Sequence, residues 1–165
     1  MGCVGKTTIG KLLAEKLGYA FFDVDEEVQK YYQKSIERLQ NECLTMHTFR
    51  EKAGVVLDAL FSNNVDCVVA GTPSGMKGAY NSVYKRHKKQ KELYSVHLYD
   101  SCENVLARLR IYDIDSNPID EPMRPEEKKY YLRDIKADYN YFKSSYERAD
   151  VQISIENILC TTSLS

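Results

Sequence analysis

The sequence predicts one α/β domain over residues 1–165: a doubly wound, mostly parallel sheet with helices on both faces. Three observations carry that prediction. The opening "MGCVGKTTIGKLLAEKLG" joins a glycine-bearing loop directly to a helix. "VDCVVAG" is a continuous apolar run, the pattern of a parallel strand covered on both faces. Strand-like runs then alternate with helical patterns to the end of the chain, which is how parallel sheets are wound.

In the first helix Ile9, Leu12, Leu13 and Leu17 recur at helical spacing, with Gly18 as its C-terminal cap. "YAFFDVDEE" is an aromatic run ending in acids and reads as a buried strand. From 26 to about 60 the pattern is helical, broken near "ECLTMHT". "VDCVVAG" follows as the second strand, and "TPSG" ends it. A helix to about 91 leads into "LYSVHLYD" as the third strand. "SCENVLARLRIYD" is a helix, with Asp100 as its N-cap and Glu103 at capping-box spacing. "DSNPIDEPMRPEE" is polar and proline-bearing, hence a loop; a long charged helix runs from 125 to about 148, and "VQISI" is the last strand.

Composition narrows the function. A net charge of −1 gives no reason to expect nucleic acid, and the basic run "KRHKKQKE" is better explained as a solvated helix end. Cys3, Cys43, Cys67, Cys102 and Cys160 are scattered without a C-x-x-C pair, which points to free thiols in a reducing cytoplasm rather than a zinc site. No apolar stretch approaches a membrane span. The expectation is a cytoplasmic monomer acting on a small molecule. His47, His87 and His97 have no carboxylate or serine partner at telling spacing and read as structural.

The chemistry begins at the loop. Gly5-Lys6-Thr7 is the ending of the phosphate-binding pattern Gly-x4-Gly-Lys-Ser/Thr, and Gly2 adds a second flexible point. Glycines allow successive backbone N–H groups to turn toward phosphate oxygens. Lys6 would reach the terminal phosphates, the Thr7 hydroxyl would ligate magnesium, and Thr8 continues the helix start whose dipole favours anions. In a doubly wound fold ligands gather at the carboxyl ends of strands, which singles out Asp23, Asp25 and the "AGTPSG" turn. Asp23 and Asp25 also fit a helix start complemented by Glu26 and Glu27.

With loop, helix and "FFDVDEE" in this order, the chain resembles the shikimate kinase family of small P-loop kinases over most of its length. The resemblance implies ATP-dependent phosphorylation of shikimate to shikimate 3-phosphate, with Mg²⁺ on Thr7 and Asp23 and the acceptor hydroxyls on Asp25. Arg50 in "FREKA" would hold the acceptor carboxylate, though Ala53 replaces the family's Glu. Gly71 and Thr72 fall in the turn that holds acceptor by its backbone, where Pro73 departs from the family's glycines. In "NVLARLR", Arg108 would lie over the adenine, with Val105 in the family's Leu position. A lid over 111–126 would supply an arginine to the phosphates, Arg124 in "MRP" or else Arg110. Lys143 stands near the second acceptor arginine.

Two other readings stay open: a related kinase with another acceptor, such as a nucleotide, and a non-catalytic nucleotide-binding domain. The second arises because the pattern's first glycine would precede Met1. The strand before such a loop lies centrally in its sheet, so the sequence leads one to expect a sheet without its first strand, and an upstream segment lost or a start misassigned.

Overall fold

The computed structural model describes residues 3–72, 77–90 and 93–156. Gly2, Pro73 and Cys160 therefore lie outside the described residues. The described order is α1 (Lys6–Leu17), β1 (Ala20–Asp23), α2 (Val24–Tyr32), α3 (Ile36–Glu42), α4 (Met46–Ser62), β2 (Cys67–Ala70) and α5 (Ala79–Lys88). Then come β3 (Val96–Tyr99), α6 (Cys102–Ala107), β4 (Ile111–Tyr112), β5 (Pro118–Ile119), α7 (Pro125–Tyr146) and β6 (Val151–Ser154).

Local chemistry sets the boundaries. Gly5 and Gly18 flank α1 with φ of 72° and 68°, left-handed backbone that glycine adopts without penalty. The Asp23, Ser35 and Thr45 side chains accept from backbone N–H groups that open α2, α3 and α4. The helical stretch 26–60 is thus broken twice, at Ser35 as well as near Thr45. Pro125 opens α7, where its missing N–H leaves nothing unpaired.

The four-residue strands pair in parallel, but not as one sheet. β1 pairs with β2 from Ala20–Cys67 to Asp23–Ala70, and β3 with β6 from Val96–Val151 to Tyr99–Ser154. No described strand joins β2 to β3. Between them lies a cavity of about 210 Å³ lined by Val69 of β2 and Val96, His97 and Leu98 of β3. A groove of about 770 Å³ continues along β2, lined by Leu13, Leu17 and Val68.

The leucines of α1 face this side of the sheet only in part. Leu12, Leu13 and Leu17 of α1 are not core: they are 55%, 41% and 50% exposed, while Gly10 and Ala14 are buried. The small face is the one pressed on the first strand pair, since a Cβ at Gly10 would stand 2.7 Å from the Phe21 ring. The main core gathers α2 to α5, through Val28, Leu39, Phe49, Leu57, Tyr80 and Val83. A smaller one joins Val4 of the loop to Val105 and Ile155.

Two expectations are corrected. The N-cap of α6 is Ser101, whose hydroxyl accepts from the Asn104 N–H at 3.1 Å. Asp100 lies one residue outside, where it accepts from Ser101 N–H (2.7 Å) and the Asn104 side chain (2.8 Å). The segment read as one helix over 101–113 is helical only to Ala107, and its end forms β4, which pairs antiparallel with β5 in the segment read as a loop; Asp113 accepts two backbone N–H groups and the Asn117 amide across the hairpin tip. Among the described residues no helix is long and apolar enough to cross a membrane, and Cys3, Cys43, Cys67 and Cys102 are free thiols.

Candidate active site

The loop bends through left-handed backbone at Cys3 (φ 52°) and Gly5 (φ 72°), with Val4 buried between them. This geometry sets Lys6 and Thr7 on the first turn of α1, beside the carboxyl end of β1. The Thr7 hydroxyl donates to Asp23 Oδ2 at 2.7 Å, and the other Asp23 oxygen accepts the Asp25 N–H at 3.0 Å. One carboxylate therefore ties loop, strand end and helix start together. The helix-cap reading of Asp23 holds.

Lys6 and Asp25 complete the cluster electrostatically. Burial pushes Asp25 up to about 6, Asp23 and Glu37 push the same way, and Lys6 opposes them. Burial also lowers Lys6 below its ordinary value, against the pull of Asp25 and Asp23. A carboxyl group poised near neutrality can take up a proton without being too weak a base.

The anion-side candidates converge less tightly. Arg50 is half-buried on α4, with its guanidinium 5.5 Å from the centroid of the Phe142 ring and its Nε buried without a hydrogen-bond partner. Lys143 is 56% exposed and stands 3.8 Å from Glu147. The α7 residue that reaches Arg50 is Phe142, one position earlier. Sequence reasoning passed over Lys77, whose ammonium lies 5.6 Å from the same Phe142 ring and donates to the Tyr141 carbonyl. Only its nearness to "TPSG" could have drawn attention to it. Gly71 and Thr72 follow β2, and both line the cavity beside Lys6.

Arg108 runs back from α6 to the loop, donating to Cys3 O at 3.0 Å and pairing with Asp100 at 2.5 Å. Asp100 is held below the ordinary carboxylate range despite its burial, by Asn104 and then Arg108. Arg124 sits at the N-terminus of α7, 74% exposed and 2.7 Å from Glu127. Arg110 is exposed just ahead of β4, and Thr8 is exposed on α1. The segment expected to form a lid is docked on α3 and its N-cap: Ser35 donates to Ile114 O at 2.6 Å, Arg38 pairs with Asp115 at 2.6 Å, and Ser116 donates to Glu37. The histidines lie outside this cluster. His87 does have a carboxylate partner, Asp58 at 2.6 Å, brought in by the packing of α4 on α5 across a separation no sequence pattern marks. His47 stands 3.5 Å from Glu51 one helical turn on, and His97 stacks on Tyr146.

The family model described as shikimate kinase matches residues 1–160. The chain is 30% identical to the shikimate kinase of Persephonella marina over 153 residues, 92% of this chain and 83% of that one. Its fold matches the crystal structure of shikimate kinase from Aquifex aeolicus with a TM-score of 0.68, at 24% identity, over 99% of this chain and 92% of that one. Shikimate kinase from Acinetobacter baumannii, solved in complex with shikimate, matches with a TM-score of 0.67 at 26% identity, over 91% and 76%.

Proposed function

The chain belongs to the shikimate kinase family, an ATP-dependent phosphotransferase family, and from that premise we propose that it transfers the terminal phosphoryl group of ATP to a hydroxyl of shikimate. The observation that carries the reading is the convergence of Lys6, Thr7, Asp23 and Asp25 at one strand end. Phosphoryl transfer requires little covalent chemistry from a protein and depends on positioning and charge. Lys6 would neutralise phosphate charge that the loop N–H groups cradle. Asp25 would orient the acceptor hydroxyl and take its proton. Arg50 would pair with the acceptor carboxylate, and the relative solved with shikimate supports an acceptor of this kind.

Magnesium fits the residues present. Thr7, while donating to Asp23, keeps oxygen lone pairs for a cation, and a small hard ion that retains its waters needs few protein ligands. When bound it would supply positive charge that offsets the charge of the phosphates. Of the lid arginines, Arg124 is proposed to reach the phosphates by moving from its Glu127 contact, with Arg110 as the other candidate. Gly71 and Thr72 would line the acceptor side, Arg108 would flank the nucleotide base, and Lys143 has the least support.

A phosphorylation panel tests the reading, with shikimate, related hydroxy acids and nucleoside monophosphates as acceptors. Shikimate is expected to be used best, and Arg50→Ala to raise its KM roughly ten- to hundredfold while the KM for ATP holds. Preferred use of a nucleoside monophosphate would replace the acceptor. ATP binding without any transfer would favour a non-catalytic nucleotide-binding domain.

A further inference from the structure

Tyr80 lies on the first turn of α5 with its ring in the main core, 2% exposed. Its neighbours in that cluster include Val24 of α2 and both Phe49 and Ala53 of α4, so the ring is wedged among the helices that carry Asp25 and Arg50. The α4–α5 contact is close here: a Cβ on Gly54 would stand 3.2 Å from that of Ala79. The Tyr80 hydroxyl is buried and makes no hydrogen bond of acceptable geometry. The Thr72 side chain stands close enough to act as a hydrogen-bonding neighbour, though without acceptable geometry, and Asp25 and Arg50 act on the phenol by charge; burial pushes it up to about 12, so it remains a donor at any physiological pH.

A buried hydroxyl with no partner is rare, because its desolvation goes uncompensated. Phenylalanine would fill the same space without that cost. The hydroxyl's surroundings include residues proposed above to hold the acceptor: Thr72 at the end of β2, Asp25, and the cation Arg50, whose Nε is likewise buried and unpartnered. Two orphaned donors thus lie within electrostatic reach of each other, on the acceptor side of the phosphate loop. Ala53, fully buried in the same cluster, leaves α4 without an acid one turn after Arg50. No carboxylate at that position competes for either donor.

We propose that Tyr80 is an acceptor-positioning residue, its hydroxyl donating a hydrogen bond to an oxygen of the bound hydroxy acid beside the group that Arg50 pairs with. The inference rests on the kinase reading above and adds a specificity element to it. Two donors aimed at one end of the acceptor suit a carboxylate or a carboxylate with an adjacent hydroxyl. An acceptor lacking oxygen there would leave both donors unpaired and be rejected.

Tyr80→Phe removes only the oxygen. Binding of shikimate is measured by calorimetry alongside steady-state kinetics and the thermal midpoint of the ligand-free chain. The expected result is a rise of roughly tenfold or more in shikimate Kd and KM, with the KM for ATP unchanged and a midpoint no lower than that of the parent. Unchanged shikimate affinity overturns the proposal. So does a lower midpoint with shikimate and ATP weakened together, since that marks a structural hydroxyl. If the parent chain itself neither binds nor phosphorylates shikimate, the kinase assignment fails first and the role of Tyr80 falls with it.

Discussion

Asp25 is where a single side chain decides most. Its folded-state value, raised from 3.8 to about 6, means the folded chain holds a proton more tightly than the unfolded one. Between those two values the folded state binds more protons, so stability falls as pH rises through that window. Above it, the buried carboxylate is a standing cost that catalysis requires. Asp25→Asn is therefore expected to stabilise the ligand-free protein at neutral pH by on the order of 1–2 kcal/mol, a gain that disappears near pH 4. The same change should lower kcat by roughly 10²- to 10⁴-fold. In the parent, turnover should fall about tenfold per unit below pH ~6. Thermal scans at both pH values and a pH–rate profile check all three; a stability loss at neutral pH would contradict the cause given for the shift.

Among the elements, the β4–β5 hairpin and α3 form the pair whose contact can be tuned. Arg38 reaches Asp115 through both Nε (2.7 Å) and Nη2 (2.6 Å), but each partner is about half exposed. Exposed ion pairs contribute about 0–1 kcal/mol. Arg38→Ala is expected to speed proteolytic nicking within 111–119 up to severalfold without moving the thermal midpoint; an unchanged nicking rate would show that Ser35 and Ser116 hold the hairpin alone. This docking was not legible in the sequence, because it joins residues far apart in the chain through short polar side chains. The α1 boundaries and the strands β1, β2, β3 and β6 were legible, since each rests on local pattern, whereas the short β4 and β5 were not. Leucine spacing in α1 marked the helix, but helical period shows only that a helix has an apolar face, not that anything covers it. At α6, Asp100 and Ser101 are both good caps, and only the Arg108 and Asn104 contacts decide between them. Tyr80 was missed because a buried donor without a well-formed partner has no sequence signature, and Lys77 because its Tyr141 contact joins residues far apart in the chain.

For the whole molecule the open question is the space between β2 and β3. Its walls are apolar on both sides, from Val69 and Leu13 to Val96 and Leu98, and facing strand edges leave ladder groups unpaired. Joining an apolar strand of about 5–6 residues ahead of the loop through a glycine is expected to raise the thermal midpoint by at least about 5 °C. It should also reduce binding of a hydrophobic dye. No change in either measurement would show that the two halves need no such strand.

Until such a space is filled, the phosphate loop is itself a seam. Its helix packs on the β1–β2 half, while Val4 and the Cys3 carbonyl are held by Val105, Ile155 and Arg108 from the other half. Anything gripping that loop clasps the two leaves together. A nucleotide at a hundredfold excess over its Kd would add about 2.7 kcal/mol of resistance to unfolding. The protein's lifetime at elevated temperature would then follow nucleotide supply, longest where ATP is plentiful and shortest in dilute, ligand-free solution.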